Sequence, residues 1–401
     1  MRTSWNFYCA GQLTFGAGSV SQLGDLARRY ALKRVLIVTD RTLDDLGIVK
    51  QVRAPLAEAG VAVEVFDGSE AEPSLAVADA SIAAAGEFNP DAIVGLGGGS
   101  NMDLAKITAT VVTHGGNPAD YFGFDRVPGP VLPLICVPTT AGTGSEVSHA
   151  AVLTDTANEM KVSTLSNWLR PKLAIVDPEL TYSCPRQVTA DSGIDVLTHA
   201  IEAYTAIDFA EMHVSAGEPC AYEGRFPVAD VMAEKAIVLV GRHLVTAVSE
   251  PDNTIARDGM ALAATLAGIA FSNAGVALVH ALEYPLGGAL HCSHGAGNGL
   301  LLPFVMRFNL PERVETFGRI AQLLGATTDG LPAAEAAELA IAHVERLKHE
   351  IGIPERISDI GGTADQLAAF AKKAFAIKRL CWVNPRDATL EDVVGIYQDA
   401  L

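Results

Sequence analysis

Apolar residues in the first part of this chain fall in short, nearly unbroken runs; in the rest they recur at helical spacing. Arg34-Val-Leu-Ile-Val-Thr-Asp40, Ala62-Val-Glu-Val-Phe66, Ala92-Ile-Val-Gly95 and Pro133-Leu-Ile-Cys-Val137 are continuous and largely β-branched. That pattern belongs to strands covered on both faces, as in a parallel sheet. Helix-like stretches, such as Leu75 to Glu87 and Asn101 to Val112, separate them. The alternation predicts a doubly wound, Rossmann-like α/β domain. From about Pro185 the strand runs vanish, and Ala/Leu-rich stretches continue to Leu401, with breaks expected at Gly287, Pro303, Gly325, Gly352 and Gly361. The predicted organisation is therefore an α/β domain over 1–183 and an all-helical domain over 184–401.

Length supports that division, since 401 residues exceed one ordinary hydrophobic core. The charge of −18, with no clustered basic residues, argues against nucleic acid or an anionic membrane as partner. Cysteines 9, 136, 184, 220, 292 and 381 are scattered without a Cys-x-x-Cys pair, which predicts reduced thiols and a cytoplasmic protein. Met1-Arg-Thr-Ser-Trp-Asn-Phe7 lacks the apolar core of a signal peptide, and no run reaches the roughly 20 apolar residues of a membrane span.

Two loops carry the chemistry of the first half. Gly97-Gly-Gly-Ser100 follows a predicted strand and opens a predicted helix, where free N–H groups and the helix dipole favour a pyrophosphate. Thr139-Thr-Ala-Gly-Thr-Gly-Ser145 follows another strand and adds hydroxyls and backbone donors. Together they point to a dinucleotide.

The second half carries a different constellation. Asp195 and His199 stand four apart in a run of good helix formers, so they share one helix face. His280 lies inside an apolar run, and His294 follows a Gly-containing turn at a position suited to opening a helix. Three imidazoles and one carboxylate suit Zn²⁺ or Fe²⁺ better than a hard cation.

These segments resemble the metal-binding signatures of the iron-containing (group III) alcohol dehydrogenases. The resemblance also covers Phe15-Gly-Ala-Gly18, Gly97-Gly-Gly-Ser-Asn-Met-Asp-Leu-Ala-Lys106, Val137-Pro-Thr-Thr-Ala-Gly-Thr-Gly-Ser-Glu146, Ala174-Ile-Val-Asp-Pro-Glu-Leu180 and Asn384-Pro-Arg386, in order along nearly the whole chain. It implies a dehydroquinate synthase-like architecture, NAD with Fe²⁺ (Zn²⁺ possible) as cofactors, and a homodimer. It further implies hydride transfer between a small alcohol and its aldehyde or ketone, at the seam of the two domains. The positions matching the family's cofactor contacts are Gly98, Gly99, Ser100, Asp103, Thr139, Thr140, Ser145, Ser148 and Lys161. Asp40 matches the carboxylate that the family sets beside the adenosine ribose, where it repels a 2′-phosphate and favours NAD over NADP. The metal set is Asp195, His199, His280 and His294.

The chain departs from the family at three places. Ala71-Glu72-Pro73 stands where an Asn commonly precedes the Pro. Tyr284 replaces a His, leaving Tyr284 or His291 as candidates for the proton relay. Ile207 to Arg225 forms an insertion, expected as a long loop, comparable to one that marks the hydroxyacid–oxoacid transhydrogenase branch. Arg225 is read as a surface residue, and His149 and His213 receive no role. Two alternatives to the dehydrogenase remain: that transhydrogenase, and a lyase of the dehydroquinate synthase kind.

Overall fold

The computed structural model describes residues 2–156, 160–212 and 220–401. The chain forms two compact units, Tyr8–Cys184 and Met1–Phe7 with Pro185–Leu401. The opening residues thus belong with the helical unit: Arg2 and Asn6 bond to Glu223, and Trp5 stacks on Phe226 at 4.5 Å.

The strands of the first unit are β1 (Gln12–Phe15), β2 (Arg34–Val38), β3 (Ala62–Phe66), β4 (Ala92–Gly97), β5 (Gly123–Phe124), β6 (Leu134–Pro138), β7 (Ala150–Asp155), β8 (Met160–Leu165) and β9 (Leu173–Val176). Its helices are α1 (Leu23–Arg29), α2 (Arg41–Asp45), α3 (Ile48–Glu58), α4 (Leu75–Phe88) and α5 (Gly99–His114). Six strands pair in parallel in the order β1-β9-β6-β4-β2-β3. All residues of β4 and β6 are buried, which is why those strands read as unbroken apolar runs. Apolar layers cover both faces, one built around Leu23, Val52 and Leu56, the other around Ala78, Leu104 and Ile107.

The winding turns between β2 and β4, since the chain runs outward to β3 and then crosses back. Ligands of open α/β sheets bind at such a switch point, beyond the carboxyl ends of the strands. Asp40 and Gly97-Gly-Gly99 stand at those ends. A smaller sheet pairs β8 in parallel with β5 and antiparallel with β7. The sequence pattern showed none of β1, β5, β7, β8 and β9, because these strands are short or alternate.

The second unit is helical: α6 (Arg186–Thr205), α7 (Pro227–Ser249), α8 (Thr254–Ala274), α9 (Leu278–Leu290), α10 (His294–Asn309), α11 (Val314–Leu323), α12 (Ala333–Ile351), α13 (Leu367–Phe375), α14 (Lys378–Cys381) and α15 (Leu390–Ala400). Gly325, Gly352 and Gly361 do end elements, with φ of 98°, 80° and 85°. Gly287 and Pro303 do not break the chain but lie inside α9 and α10. Helix α8 is long and apolar enough to cross a membrane by length and composition, yet 72 % of its apolar window is buried. It packs on α6 and α7 as a core helix. The described residues of the predicted loop after α6 form no helix or strand; Asp208 and Arg225 pair in an isolated bridge. Residues 213–219 of that loop, His213 included, lie outside the described residues.

Candidate metal centre and dinucleotide loops

Glycines bring the helices of the second unit together. A Cβ on Gly295 would stand 2.0 Å from the Asp191 carbonyl oxygen, and one on Gly299 would stand 2.7 Å from the Ile194 side chain. Only glycine at these positions lets α10 lie so close to α6. Ser293 caps α10 by accepting from Ala296 N (3.4 Å) and donates to Asp191 Oδ2 (2.6 Å), so His294 opens the helix.

Asp195, His199 and His280 are buried, and His294 is partly so. One donor atom from each of Asp195, His280 and His294 falls within 4.8 Å of the others. His199 Nε2 lies 3.8 Å from Asp195 Oδ1, with its ring stacked between Phe271 (4.3 Å) and His280 (4.9 Å). Asn298 Nδ2 donates to Asp195 Oδ1 (2.8 Å) and stands 3.2 Å from Nε2 of both His280 and His294. Both imidazoles therefore turn Nε2 toward one point. Burial pushes the Asp195 carboxyl up, but His199, His294, His280 and the Asn298 amide together hold it below its ordinary range. Buried, borderline donors that converge in this way suit a divalent transition metal.

On their far side the imidazoles meet carboxylates. His280 Nδ1 donates to Glu202 Oε2 (2.5 Å), whose other oxygen accepts from Val279 N (2.7 Å), and His294 Nδ1 donates to Glu283 Oε2. Sequence reading missed Glu202, Glu283 and Asn298. A signal was present: His199-Ala-Ile-Glu202 and His280-Ala-Leu-Glu283 repeat a His-x-x-Glu spacing, and Asn298 follows His294 by four.

The two relay candidates sit differently. Tyr284 has its ring 5.9 Å from that of His294, and burial pushes its hydroxyl pKa up. His291 is exposed and closes α9 in a left-handed conformation, with φ of 53°. Arg225 is not the surface residue expected from sequence. It donates to Asp230 (2.8 Å), lies 3.8 Å from Asp208, and covers the Tyr204 ring at 5.0 Å.

In the first unit the two loops abut. Thr139 N donates to Gly97 O (3.0 Å), and a Cβ on Gly99 would meet the Thr143 side chain at 2.8 Å. Gly97 has φ of 140°, and its missing Cβ makes room for the Asn101 amide. That amide donates to Asp40 Oδ2 (2.7 Å), while Asp40 Oδ1 caps α2 by accepting from Leu43 N (3.1 Å). Asp103 accepts from Ser145 Oγ (2.6 Å) and Val152 N (2.9 Å). Lys106, unassigned from sequence, is wholly buried, and its three N–H groups are shared among Ser145 O and Oγ (2.8 Å each), Ser148 O and Oγ (3.2 Å each) and Ala150 O (2.8 Å). Burial pulls its ammonium below the ordinary pKa, and the nearby Asp103 carboxylate resists. Gly98 lies beside Thr140. Glu72, the departure from the family's Asn, has φ of 56°; its N–H donates to Ser100 Oγ (3.2 Å), and its carboxylate pairs with Lys161 Nζ (2.7 Å).

A doubly wound sheet with glycine-rich turns at its switch point, on one chain with a buried His/Asp cluster among helices, defines a class: metal-dependent dehydrogenases of dehydroquinate synthase-like fold. More narrowly, the chain belongs to the iron-containing alcohol dehydrogenase family. Residues 10–178 match the family model described as "Iron-containing alcohol dehydrogenase", and residues 189–401 match "Fe-containing alcohol dehydrogenase family, C-terminal". It is 36% identical over 397 residues to the NAD-dependent methanol dehydrogenase of Bacillus methanolicus, covering 99% of this chain and 100% of that one. A crystal structure of 1,3-propanediol oxidoreductase superposes with a TM-score of 0.93 at 35% identity, over 99% of this chain and 100% of that one. The sulfoacetaldehyde reductase of Bifidobacterium kashiwanohense, solved with NAD⁺, superposes with a TM-score of 0.85 at 29% identity, over 100% and 99%.

Proposed function

We propose that this protein is a metal-dependent, NAD(H)-linked oxidoreductase that interconverts a small alcohol and its aldehyde or ketone. The observation that carries this reading is the convergence of Asp195, His280 and His294 donors, with His199 beside them, in a chain whose relatives include an NAD-dependent methanol dehydrogenase. When bound, a divalent metal supplies a Lewis acid for the alcohol or carbonyl oxygen, and the dinucleotide carries the hydride.

The residues divide the remaining work. Asp195, His199, His280 and His294 are the proposed metal ligands, with Fe²⁺ the family's metal and Zn²⁺ suited to the same donors. Gly98, Gly99 and Ser100, at the start of α5, offer free N–H groups to a pyrophosphate. Thr139, Thr140, Ser145 and Ser148 line the neighbouring loop, which Asp103 and Lys106 brace from within. Lys161, on β8, pairs with Glu72, whose N–H donates to Ser100 Oγ. Asp40 disfavours a 2′-phosphate. For the proton, Tyr284 Oη is the better candidate than His291, because Tyr284 lies against His294 while His291 faces solvent. The sheet unit is thus read as the NAD domain and the helical unit as the metal and substrate domain. Cysteines not joined in disulfides support a cytoplasmic setting, and the homodimer is carried over from the family resemblance.

The test is absorbance at the NADH band with metal-loaded protein and short alcohols, diols and hydroxy acids, each with and without NAD. NADH formed from an alcohol only when NAD is supplied is the expected result. Consumption of an oxo acid with a hydroxy acid, and no net NADH, would overturn it in favour of the transhydrogenase.

A further inference from the structure

Glu283 is a carboxylate with no exposed surface, in the middle of an apolar helix. Taking an ionised carboxylate out of water is costly unless it is paired. Its partner is His294 Nδ1. The fold also makes a slot for it. A Cβ on Gly287, one turn further along α9, would stand 2.1 Å from Glu283 Oε1. A Cβ on Gly297 of α10 would stand 2.8 Å from Glu283 Cγ. Both glycines have helical backbone, so what they contribute is space.

Glu202, on α6, repeats the arrangement. It is also buried, and grips His280 Nδ1 and the Val279 N–H with its two oxygens. The pattern is a chain of clamps. Helix α6 carries Asp195 and His199 and sends Glu202 to the histidine of α9; α9 carries His280 and sends Glu283 to the histidine of α10.

A neutral imidazole has one N–H and one lone pair. A carboxylate on Nδ1 keeps the proton there, orients the ring, and leaves the Nε2 lone pair toward the point that Asp195 faces. We infer that Glu283 and Glu202 are positioning residues for the metal centre, holding His294 and His280 in the tautomer and orientation that bind the ion. This rests on the metal reading of the same site.

The experiment measures Zn²⁺ affinity of the full-length apoprotein by competition with a chromophoric chelator, and the visible spectrum of its Co²⁺ form. The variants are Glu283→Gln, Glu202→Gln, Gly287→Ala and His294→Ala. Glu283→Gln and Glu202→Gln should each weaken Zn²⁺ binding by roughly 10- to 100-fold and shift the Co²⁺ bands. Gly287→Ala, which leaves every polar group in place but fills the slot, should weaken it in the same direction, and decides the matter if Glu283→Gln fails to fold. Wild-type affinity and spectrum in Glu283→Gln, Gly287→Ala and Glu202→Gln, with binding lost in His294→Ala, would overturn the positioning role alone. Wild-type affinity in His294→Ala as well would overturn the metal reading on which it stands.

Discussion

Asp40 does two jobs in the folded chain, and they respond differently to substitution. One oxygen caps α2 and the other anchors Asn101, which in turn holds the turn after β4. Replacing an N-cap Asp by Gly costs only a few tenths of a kcal/mol, so Asp40→Gly should fold. On the proposed NAD reading it removes the charge that would face a 2′-phosphate. Like charges a few ångström apart near a protein surface repel by more than about 1.4 kcal/mol, so the NADP rate relative to NAD should rise by roughly tenfold or more. An unchanged ratio of kcat/KM for the two cofactors would show that Asp40 is not the discriminator. His280→Ala leaves Glu202 without its imidazole and removes one donor of the centre. Both metal retention and hydride transfer should be lost, which metal analysis of the purified variant and the NADH assay would check together.

At the scale of elements, the motif around Asp177 acts as a clasp. The buried carboxylate accepts from Gly18 N and Val20 N (3.0 Å each) and from Glu179 N (3.1 Å). It thereby joins the turn after β1 to the end of β9, its parallel neighbour in the sheet. Two sequence motifs are thus halves of one joint, with hydrogen bonds between residues 159 and 157 positions apart. Removing a buried charged acceptor leaves backbone N–H groups unpaired, so Asp177→Ala should destabilise the sheet unit by roughly 3 kcal/mol. A urea midpoint equal to wild type would contradict that. Asn384 plays a similar part in the helical unit. It exchanges two amide hydrogen bonds of 2.8 Å with Asn309, and Arg386 reaches the Phe308 carbonyl (2.7 Å), tying the closing segment to α10.

At the scale of the molecule, an ion held by side chains from α6, α9 and α10 would cross-link three helices that are separate in sequence. A ligand that binds only the folded state at 100 times its Kd stabilises by about 2.7 kcal/mol. Stripping the metal with a chelator should therefore abolish hydride transfer and lower the Tm of the helical unit by several degrees. Adding back Fe²⁺ or Zn²⁺ should restore both. Full activity and an unshifted melting curve after chelation would defeat the mechanism.

Periodicity and local chemistry determined a good deal of this by themselves. Strands β2, β4 and β6 were legible because burial on both faces of a parallel sheet leaves continuous apolar runs, whereas β3, an edge strand with no fully buried residue, showed only through its β-branched valines. The change from strands to helices near Pro185 was legible for the same reason. Asp195 and His199 were legible because a spacing of four brings two residues together on one helix. The tertiary structure alone decided the rest. Short or alternating strands such as β1 and β7 are specified by their neighbours, and Gly287 and Pro303 read as breaks until the packing of α9 and α10 is known. Glu202 and Glu283 received no role from sequence, although each follows a metal-site histidine by three. The His-x-x-Glu spacing marks these carboxylates, but it does not say which imidazole each meets, because that partner lies on another helix.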